Sequence, residues 1–553
     1  MIKKVDIKRV LGDLPLTAEI YWQLRQSGKP LSKSFSMSRT HKRLPDWVSQ
    51  ASLARGNHPD IVGKRVLIFA TLRYWIEHAV LMGIGIAGMG HDVTLAYLPY
   101  ANWRTPSNRF DLRRHNAYAK HILQPAQTIM RSISFLDIQP AAGALPESIQ
   151  AAIQEVSIRD VQYTQQIEDV EQTGDLYRLR IQRNTAAAQS ALHWLSINRP
   201  DVLLTPNGSI MEMGAVYTVA RHLGIPVVTY EFGEQRDRIW LARDAEVMRQ
   251  DTDELWQARQ YVPLTDGQWT QIRALFSSRQ NASLWENFSR RWQGTPSRGG
   301  EKVRQELGLD SRPVVLLAAN VIGDSLTLGR QVFTENMTGW LERTVSDFVH
   351  RTDAQLVVRI HPGERYTQGP SVADVLHGAL EDIPEHIHLV AADDPVNTYD
   401  LVEIADLGLV YTTTVGLEMA MSGVPVIVIG QTHYRGKGIT LNPGSWENYA
   451  QLLDSALSDP TNFRLTREHV VRAWNYAYKF FFEYPCPFPW HLLHFWDELE
   501  TWPVSRVLSE EGQDKFGDTF RYLLGDTREW TKDINTNAAV NTPADEAVRQ
   551  LEI

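Results

Sequence analysis

A turn rich in hydroxyl groups separates a strand-like segment from a helix-like segment in the second half of the chain. The apolar run Leu407–Tyr411 is followed by Thr412–Thr414, and Val415–Ser422 then has helical spacing. The first turn of a helix presents unpaired N–H groups and the positive end of the helix dipole, so this turn suits a phosphate group. The alternative is that the threonines only cap the helix.

A histidine follows another predicted strand of the same half. The strand Gln355–Ile360 ends at His361, and Pro362 prevents its continuation. Parallel strands end at one edge of a sheet, so we expect His361 and Thr412–Thr414 to face one crevice. There a histidine can donate to a phosphate and, when protonated, offset charge on a leaving group. A lone histidine is more often a structural hydrogen-bonding residue, but the neighbouring hydroxyls favour the phosphate interpretation.

Further candidates surround this turn. Gly416 lies in the first turn of the predicted helix and is grouped with the phosphate site, and Glu418 could accept hydrogen bonds from a ribose. The alternative for Glu418 is stabilisation of the helix dipole. Tyr434, Arg435 and Lys437 belong to a glycine-flanked basic loop that suits a sugar carboxylate or a phosphate. The alternative for this loop is a mobile surface segment.

The first half of the chain also has polar residues at strand ends. Glu231 directly follows the predicted strand Ile225–Tyr230, which is the position of a catalytic base. The alternative is a strand-ending carboxylate that faces solvent or pairs with a nearby arginine. Arg73 and Glu77 follow the predicted strand Lys64–Ala70 and are candidates for contact with an acceptor. Their alternatives are a surface arginine and a solvated glutamate.

Two series of alternating strands and helices must position these residues. The alternation of β-α-β units predicts parallel sheets within an α/β fold. The predicted strands of the two series are Lys64–Ala70, His91–Tyr97, Asp201–Thr205 and Ile225–Tyr230, then Val314–Ala318, Gln355–Ile360, Ile387–Val390, Leu407–Tyr411 and Val424–Ile429. The glycine-rich run Gly294–Glu301 is the best predicted linker between them.

The predicted domain boundaries follow from this alternation. The predicted parts of the chain are an N-terminal extension (1–60), two Rossmann-like domains (61–300 and 301–465), a helical aromatic segment that bridges the domains (466–530) and a disordered tail (531–553). The aromatic segment holds many rings between Trp474 and Trp502, and such rings are rarely left in water. The stretch from Trp474 to Trp502 has a single basic residue, Lys479, so we expect burial against the protein, with membrane contact at most secondary.

Composition narrows the function classes. The net charge of -9 argues against a general nucleic-acid binder. Cys486 is the single cysteine, which excludes an intramolecular disulfide and makes a cysteine metal cluster an unfavoured interpretation. The N-terminus lacks the apolar core of a signal peptide, and no apolar run reaches the length of a membrane span. These features predict a cytoplasmic protein without a metal or another cofactor.

The motif RIHPGE, followed by DPVNTYDLVEIADLGLVYTTTVGLEMAMSGVPVIVIGQTHYRGKGIT, resembles the bacterial capsule polysaccharide biosynthesis family. That family includes Kdo transferases and is similar in design to the GT-B glycosyltransferases that use CMP-sugars. Its pattern is an acidic-x-Gly motif, a His-Pro motif and a Ser/Thr pair before a helix. The resemblance is close over residues 355–440 and loose over 200–235. Threonines here occupy places where the family often has serine.

The resemblance implies a GT-B fold in which the two Rossmann-like domains face each other across a cleft, with 61–300 binding the acceptor and 301–465 the nucleotide sugar. It also implies that His361 and Pro362 contact the nucleotide phosphate and assist its departure, that Thr413 and Thr414 bind that phosphate, and that Glu231 is the base. The expected partners are a CMP-sugar donor with a Kdo-like sugar and a surface glycan or lipid-linked acceptor, with at most peripheral contact with the inner membrane.

Two alternatives from other functional classes stay open. A nucleotide-sugar 2-epimerase uses the same two-domain design but needs additional acid/base carboxylates near the sugar. A non-catalytic nucleotide-sugar-binding or assembly protein would have kept the fold and lost the base.

Overall fold

The computed structural model describes residues 4–26, 29–56, 63–140, 143–285, 288, 294–380 and 382–531. The chain forms two compact units. The N-terminal unit comprises Met1–Val161, Glu171–Met248 and Cys486–Arg528, and the C-terminal unit comprises Gln162–Val170, Arg249–Pro485 and Glu529–Ile553. The tail predicted to be disordered lies, from residue 532 onward, outside the described residues.

Twelve strands are assigned within the described ranges. They are β1 Arg65–Thr71, β2 Asp92–Leu98, β3 Arg131–Ser134, β4 Val202–Pro206, β5 Val227–Glu231, β6 Arg238–Arg243, β7 Val314–Ala318, β8 Gln355–Arg359, β9 Ile387–Val390, β10 Leu407–Val410, β11 Val426–Val428 and β12 Cys486–Pro487.

The α-helices surround these strands. They are α1 Lys4–Asp13, α2 Thr17–Gln26, α3 Ser38–Gly56, α4 Arg73–Gly88, α5 Arg109–Leu123, α6 Glu147–Gln165, α7 Asp175–Asn198, α8 Met211–His222, α9 Asp253–Arg259, α10 Asp266–Gln280, α11 Gly300–Glu306, α12 Met337–Val349, α13 Val372–Ala379, α14 Thr398–Ile404, α15 Val415–Met421, α16 Trp446–Ser458, α17 Pro460–Phe463, α18 Arg467–Tyr478, α19 Phe495–Thr501, α20 Val504–Val507 and α21 Glu510–Leu523. Short 3-10 turns cover Lys33–Phe35, Gln124–Thr128, Val247–Arg249 and Pro362–Tyr366, and a π-helical turn covers Lys479–Glu483.

The N-terminal sheet has the strand order β12-β6-β5-β4-β1-β2-β3. The five strands from β5 to β3 are parallel, whereas β6 is antiparallel to β5 and β12 is antiparallel to β6. Alternate residues of β1 enter opposite cores: Ile68 packs in the cluster that contains Val80 of α4, and Leu67 in the cluster that contains Val216 of α8. Helices α4 and α8 therefore cover opposite faces, which places a topological switch point between β1 and β4.

The C-terminal sheet has the order β11-β10-β7-β8-β9, and all of its strands are parallel. Leu409 of β10 lies in one core cluster with Leu341 of α12. The opposite face of β10 carries Gly408, where an added Cβ would lie 2.6 Å from the sulfur of Met419 in α15. Helices α12 and α15 thus cover opposite faces, and the switch point of this sheet lies between β7 and β10.

The predicted α/β class, with two Rossmann-like sheets, is confirmed. The linker prediction differs from the structure, because the chain leaves the N-terminal unit after Met248. The run Gly294–Glu301 is fixed to the C-terminal unit: the backbone amide of Arg298 donates to Asp400 at 2.9 Å, and that of Gly300 donates to Glu403 at 2.9 Å. Glycine-rich composition alone could not distinguish this docked segment from a flexible linker.

The aromatic segment is largely buried, as predicted. Trp474, Tyr476, Phe488 and Trp490 are each at most 2% exposed. The part up to Pro485 belongs to the C-terminal unit and the remainder to the N-terminal unit, so its bridging role stays a prediction. Across the described ranges, no helix is long and apolar enough to span a membrane.

Candidate functional site

Asn320 connects the two strands that flank the switch point of the C-terminal sheet. It lies two residues beyond the end of β7, and its side-chain oxygen accepts hydrogen bonds from the backbone amide (3.1 Å) and the hydroxyl (3.3 Å) of Thr412. Both residues are buried. The sequence reasoning missed Asn320, although an asparagine just beyond a predicted strand is a signal that could have identified it.

A tyrosine also holds the turn Thr412–Thr414, which we call the threonine turn. The buried hydroxyl of Tyr434 donates to the carbonyl oxygen of Thr413 at 2.6 Å. Gly416 makes room for it, since a Cβ at that position would lie 2.4 Å from the tyrosine oxygen. Thr414, at the start of α15, is partly exposed, and within the described residues its side chain makes no capping hydrogen bond. Thr414 therefore does not act as a helix cap.

His361 lies at the same edge of the sheet, on the other side of β7. Its side chain is exposed, and its Nδ1 accepts a hydrogen bond from the backbone amide of Gly363 at 2.9 Å. A neutral ring with Nδ1 as acceptor carries its proton on Nε2, which is then a donor. Pro362 begins the short turn that positions this contact. The structure thus brings His361 and the threonine turn to one carboxyl edge, as the strand pattern predicts.

The basic loop after β11 is held by internal contacts. Arg435 donates to the backbone oxygens of Val428 and Pro443, and Lys437 forms an ion pair with Asp253. These contacts shape the loop, and the carboxylate-binding roles of Tyr434, Arg435 and Lys437 stay predictions.

His433 is the first residue of this predicted loop, and the sequence assigned it no separate role. Its ring stacks on Phe480 with centroids 3.6 Å apart, and its Nδ1 lies 3.0 Å from the hydroxyl of Tyr476. Burial is the main reason that the pKa of His433 lies well below its usual value, with the nearby Lys437 adding to the effect. This histidine is therefore neutral and serves to anchor the loop.

Glu418 differs from its predicted role as a ribose ligand. The side chain is buried, one carboxylate oxygen pairs with Arg279, and the other accepts a hydrogen bond from the hydroxyl of Tyr399 at 3.0 Å. Burial raises the pKa of Glu418, and Arg279 opposes that shift. Both oxygens are thus used inside the protein. The partner lies far away in the sequence, so local pattern could not reveal it.

Glu231 lies at the end of β5, on the carboxyl edge of the N-terminal sheet. It is partly exposed and accepts hydrogen bonds from the backbone amide of Phe232 (3.1 Å) and the side-chain amide of Asn207 (3.4 Å). Burial raises the pKa of Glu231 to about 7, and these two hydrogen bonds oppose the shift. A carboxylate that titrates near neutrality at a sheet edge can serve as a general base.

Strained backbone surrounds this part of the N-terminal edge. Leu72, directly after β1, has a φ of 64°, and Asn207, directly after β4, has a φ of 58°. Residues with side chains rarely adopt such values, and in folded proteins they concentrate at functional sites. Both positions flank the switch point between β1 and β4.

Arg73 and Glu77 differ from their predicted contact with an acceptor. They form an ion pair of 2.9 Å, and Glu77 is buried and also accepts a hydrogen bond from the hydroxyl of Thr40 at 2.6 Å. Arg73 donates to the backbone oxygen of Ser34 at 3.2 Å. These contacts fasten α3 and the short turn before it to α4, so both side chains have a structural use that the sequence did not indicate.

No protein-family model matches the chain, and no curated protein matches it at a significant level. Among solved structures, it is similar to KpsC, a beta Kdo 2,4 transferase of Thermosulfurimonas dismutans, at 16% identity and a TM-score of 0.32, over 50% of this chain and 79% of that chain. It is also similar to a UDP-N-acetylglucosamine 2-epimerase of Listeria monocytogenes (14%, TM-score 0.26, 75% and 91%) and to the glycosyltransferase SnogD of Streptomyces nogalater (13%, TM-score 0.23, 80% and 99%).

Proposed function

We propose that this protein is a glycosyltransferase that transfers a sugar from a nucleotide sugar to a surface or capsule polysaccharide acceptor. The observation that supports this proposal is the arrangement around Asn320, which holds Thr412–Thr414 at the switch point of the C-terminal sheet, with His361 at the same edge. Open α/β sheets bind their ligands at this place. The resemblance over residues 355–440 favours a CMP-sugar with a Kdo-like sugar as the donor.

The proposed reaction assigns a role to each side chain. His361, through Nε2–H, and the hydroxyls of Thr413 and Thr414 stabilise the nucleotide phosphate as it leaves. The bond between the anomeric carbon and the phosphate oxygen breaks, and its electron pair goes to the phosphate. The acceptor hydroxyl oxygen bonds to the anomeric carbon, and its proton passes to Glu231.

The first experiment is a calorimetric titration of the whole chain with CMP, UDP, GDP and CDP. We expect one nucleotide, CMP by the resemblance, to bind, and His361→Ala to weaken it about 10- to 100-fold, as loss of a hydrogen bond to a charged group predicts. His350→Ala is the matched control, because His350 is an exposed histidine at the end of α12, near the opposite edge of the sheet. Equal affinity of the wild type and His361→Ala would contradict the phosphate assignment.

A second experiment separates transfer from the alternative functions. Glu231→Gln should retain nucleotide binding and lose sugar transfer to an acceptor. If Glu231→Gln keeps full transfer, Glu231 is not the base. Conversion of the sugar within the donor, without transfer, would favour an epimerase.

A further inference from the structure

A cavity of about 300 Å³ opens in the N-terminal unit. One wall is a single face of α3, with lining residues at the helical spacing i, i+3, i+4, i+7, i+8 and i+11, namely Arg39, Lys42, Arg43, Asp46, Trp47 and Gln50. The other wall includes Trp496 and Glu500 of α19. The cavity is therefore bounded by two helices and lined by basic and aromatic side chains.

The three basic residues of this cavity share its lining with two acidic residues, Asp46 and Glu500. Arg39, Lys42 and Arg43 are exposed, and none of them forms an ion pair with a described residue. Arg39 has its guanidinium 4.5 Å from the centre of the Trp496 ring. This cation–π contact holds the planar group in one orientation, which suits two-point recognition of a carboxylate or phosphate.

The helices place the cations on the same side of the unit as the strand ends. The hydroxyl of Thr40 contacts Glu77 near the start of α4, and an added Cβ at Gly88 would lie 3.1 Å from the Cβ of Ala51. Helices α3 and α4 therefore run in the same direction. Because α4 starts directly after β1, the cations at the start of α3 lie toward the carboxyl edge of the sheet.

The second wall is connected to the loop that carries the proposed base. His491, four residues before α19, has Nε2 3.1 Å from the backbone oxygen of Gly233, two residues after Glu231. The ring of His491 also lies against Phe232, with centroids 4.9 Å apart. The cavity and Glu231 thus share a structural support within one unit.

We propose that this cavity binds a carboxylate-bearing saccharide unit of an acidic glycan, which would be the acceptor if the proposed function holds. Arg39, Lys42 and Arg43 recognise the sugar carboxylate, while Asp46 and Glu500 accept hydrogen bonds from sugar hydroxyls. The net charge of -9 disfavours a nucleic acid as the ligand. A concave site also suits a saccharide unit better than a flat membrane surface.

The test is a titration of the full chain with trigalacturonate, a trimer of acidic sugars, and with neutral maltotriose. We expect trigalacturonate to bind with a strong dependence on salt, and the triple variant Arg39→Ala/Lys42→Ala/Arg43→Ala to bind about tenfold more weakly or worse. The matched control removes three other exposed cations of the N-terminal unit, Arg25, Lys29 and Arg104, and should bind as the wild type does. If the triple variant does not fold, Lys42→Glu replaces it.

Two cross-checks separate this proposal from the proposed function. The triple variant should bind the nucleotide normally, and His361→Ala should bind trigalacturonate normally, so either site can fail alone. The proposal is overturned if the wild type does not bind trigalacturonate, or if the triple variant binds it equally well. It is also overturned if the triple variant still binds trigalacturonate but no longer binds vesicles of phosphatidylglycerol, since the cations would then bind a lipid surface.

Discussion

The side chain of Asn320 continues the pairing of β7 with β10 beyond the ends of both strands, by accepting two hydrogen bonds from Thr412. The backbone register of the two strands ends with Ala318 opposite Val410. The position of the threonine turn is therefore set by a residue that lies 92 positions earlier in the chain. Any ligand that uses this turn depends on a contact between distant parts of the sequence.

Asn320→Ala should both destabilise the protein and weaken nucleotide binding. The variant leaves the buried amide of Thr412 without its side-chain acceptor, which costs about 1–3 kcal/mol. Urea unfolding measures the loss of stability, and calorimetry measures the affinity. Thr412→Ser, which keeps the hydroxyl, is the control and should remain close to the wild type. Wild-type stability and affinity in Asn320→Ala would show that the turn holds itself in place.

Gly416→Ala should disturb the threonine turn through Tyr434. The new methyl group would lie 2.4 Å from the tyrosine oxygen and 2.9 Å from a methyl group of Val410, so the hydrogen bond to Thr413 cannot be kept. Overpacking of this kind costs about 1–3 kcal/mol. Gly378→Ala is the matched control, because a Cβ there meets nothing within 4 Å and lies in α13. Thermal unfolding should separate the two variants, and equal melting temperatures would contradict the prediction.

Glu418→Ala should be strongly destabilised and Glu418→Gln less so, and the folded Glu418→Gln variant should bind nucleotide normally. Removing the carboxylate leaves the charge of Arg279 buried, and breaking such a pair costs about 3–5 kcal/mol. Glutamine also removes the charge, but it keeps one oxygen as an acceptor and much of the packing, so its loss of stability should be smaller. Urea unfolding gives the stability, and a nucleotide titration of the glutamine variant gives the affinity. A loss of affinity in Glu418→Gln without a loss of stability would restore the predicted ribose contact.

The positions of His361, Thr412 and Glu231 could be predicted because each lies at or just beyond the end of an apolar, β-branched strand. The residues at the carboxyl ends of parallel strands lie along one edge of the sheet. The order of strands and helices in the sequence is therefore sufficient to predict where these residues lie. The same reasoning could not assign partners. Glu418 and Glu77 both have helical positions typical of exposed carboxylates, yet each is buried by a partner that the local pattern does not contain.

The domain boundary shows a second limit of sequence reasoning. Gly294–Glu301 has the composition of a linker, but Asp400 accepts a hydrogen bond from the backbone amide of Arg298 and thereby docks the segment. Glycine and proline indicate which backbone conformations a segment can adopt. They do not indicate whether another element forms hydrogen bonds with its backbone. Asn320 was missed for the related reason that its function is a contact with a strand far along the chain.

Glu231 should give both the activity and the stability of the protein a dependence on pH. Burial raises its pKa to about 7, so the base form exists above that pH and kcat/KM for transfer should rise between pH 6 and 8. The contribution of Glu231 to the free energy of unfolding changes with pH in the opposite direction. Between the usual carboxyl pKa of 4.5 and about 7, the folded state binds more protons than the unfolded state, so the contribution of Glu231 falls as the pH rises. Glu231→Gln should therefore gain stability relative to the wild type from pH 5 to pH 8.

Glu364→Gln is the control that separates these two effects. Burial also raises the pKa of Glu364 to about 7, and its carboxylate accepts a hydrogen bond from the backbone amide of Val372 at 2.6 Å. Relative to the wild type, the stability of the Glu364→Gln variant should change with pH in the same direction as that of Glu231→Gln. The pH–rate profile of Glu364→Gln should match the wild type, because Glu364 is not the proposed base. If Glu364→Gln removes the rise in kcat/KM, or if the wild type shows no rise between pH 6 and 8, Glu231 does not take the acceptor proton.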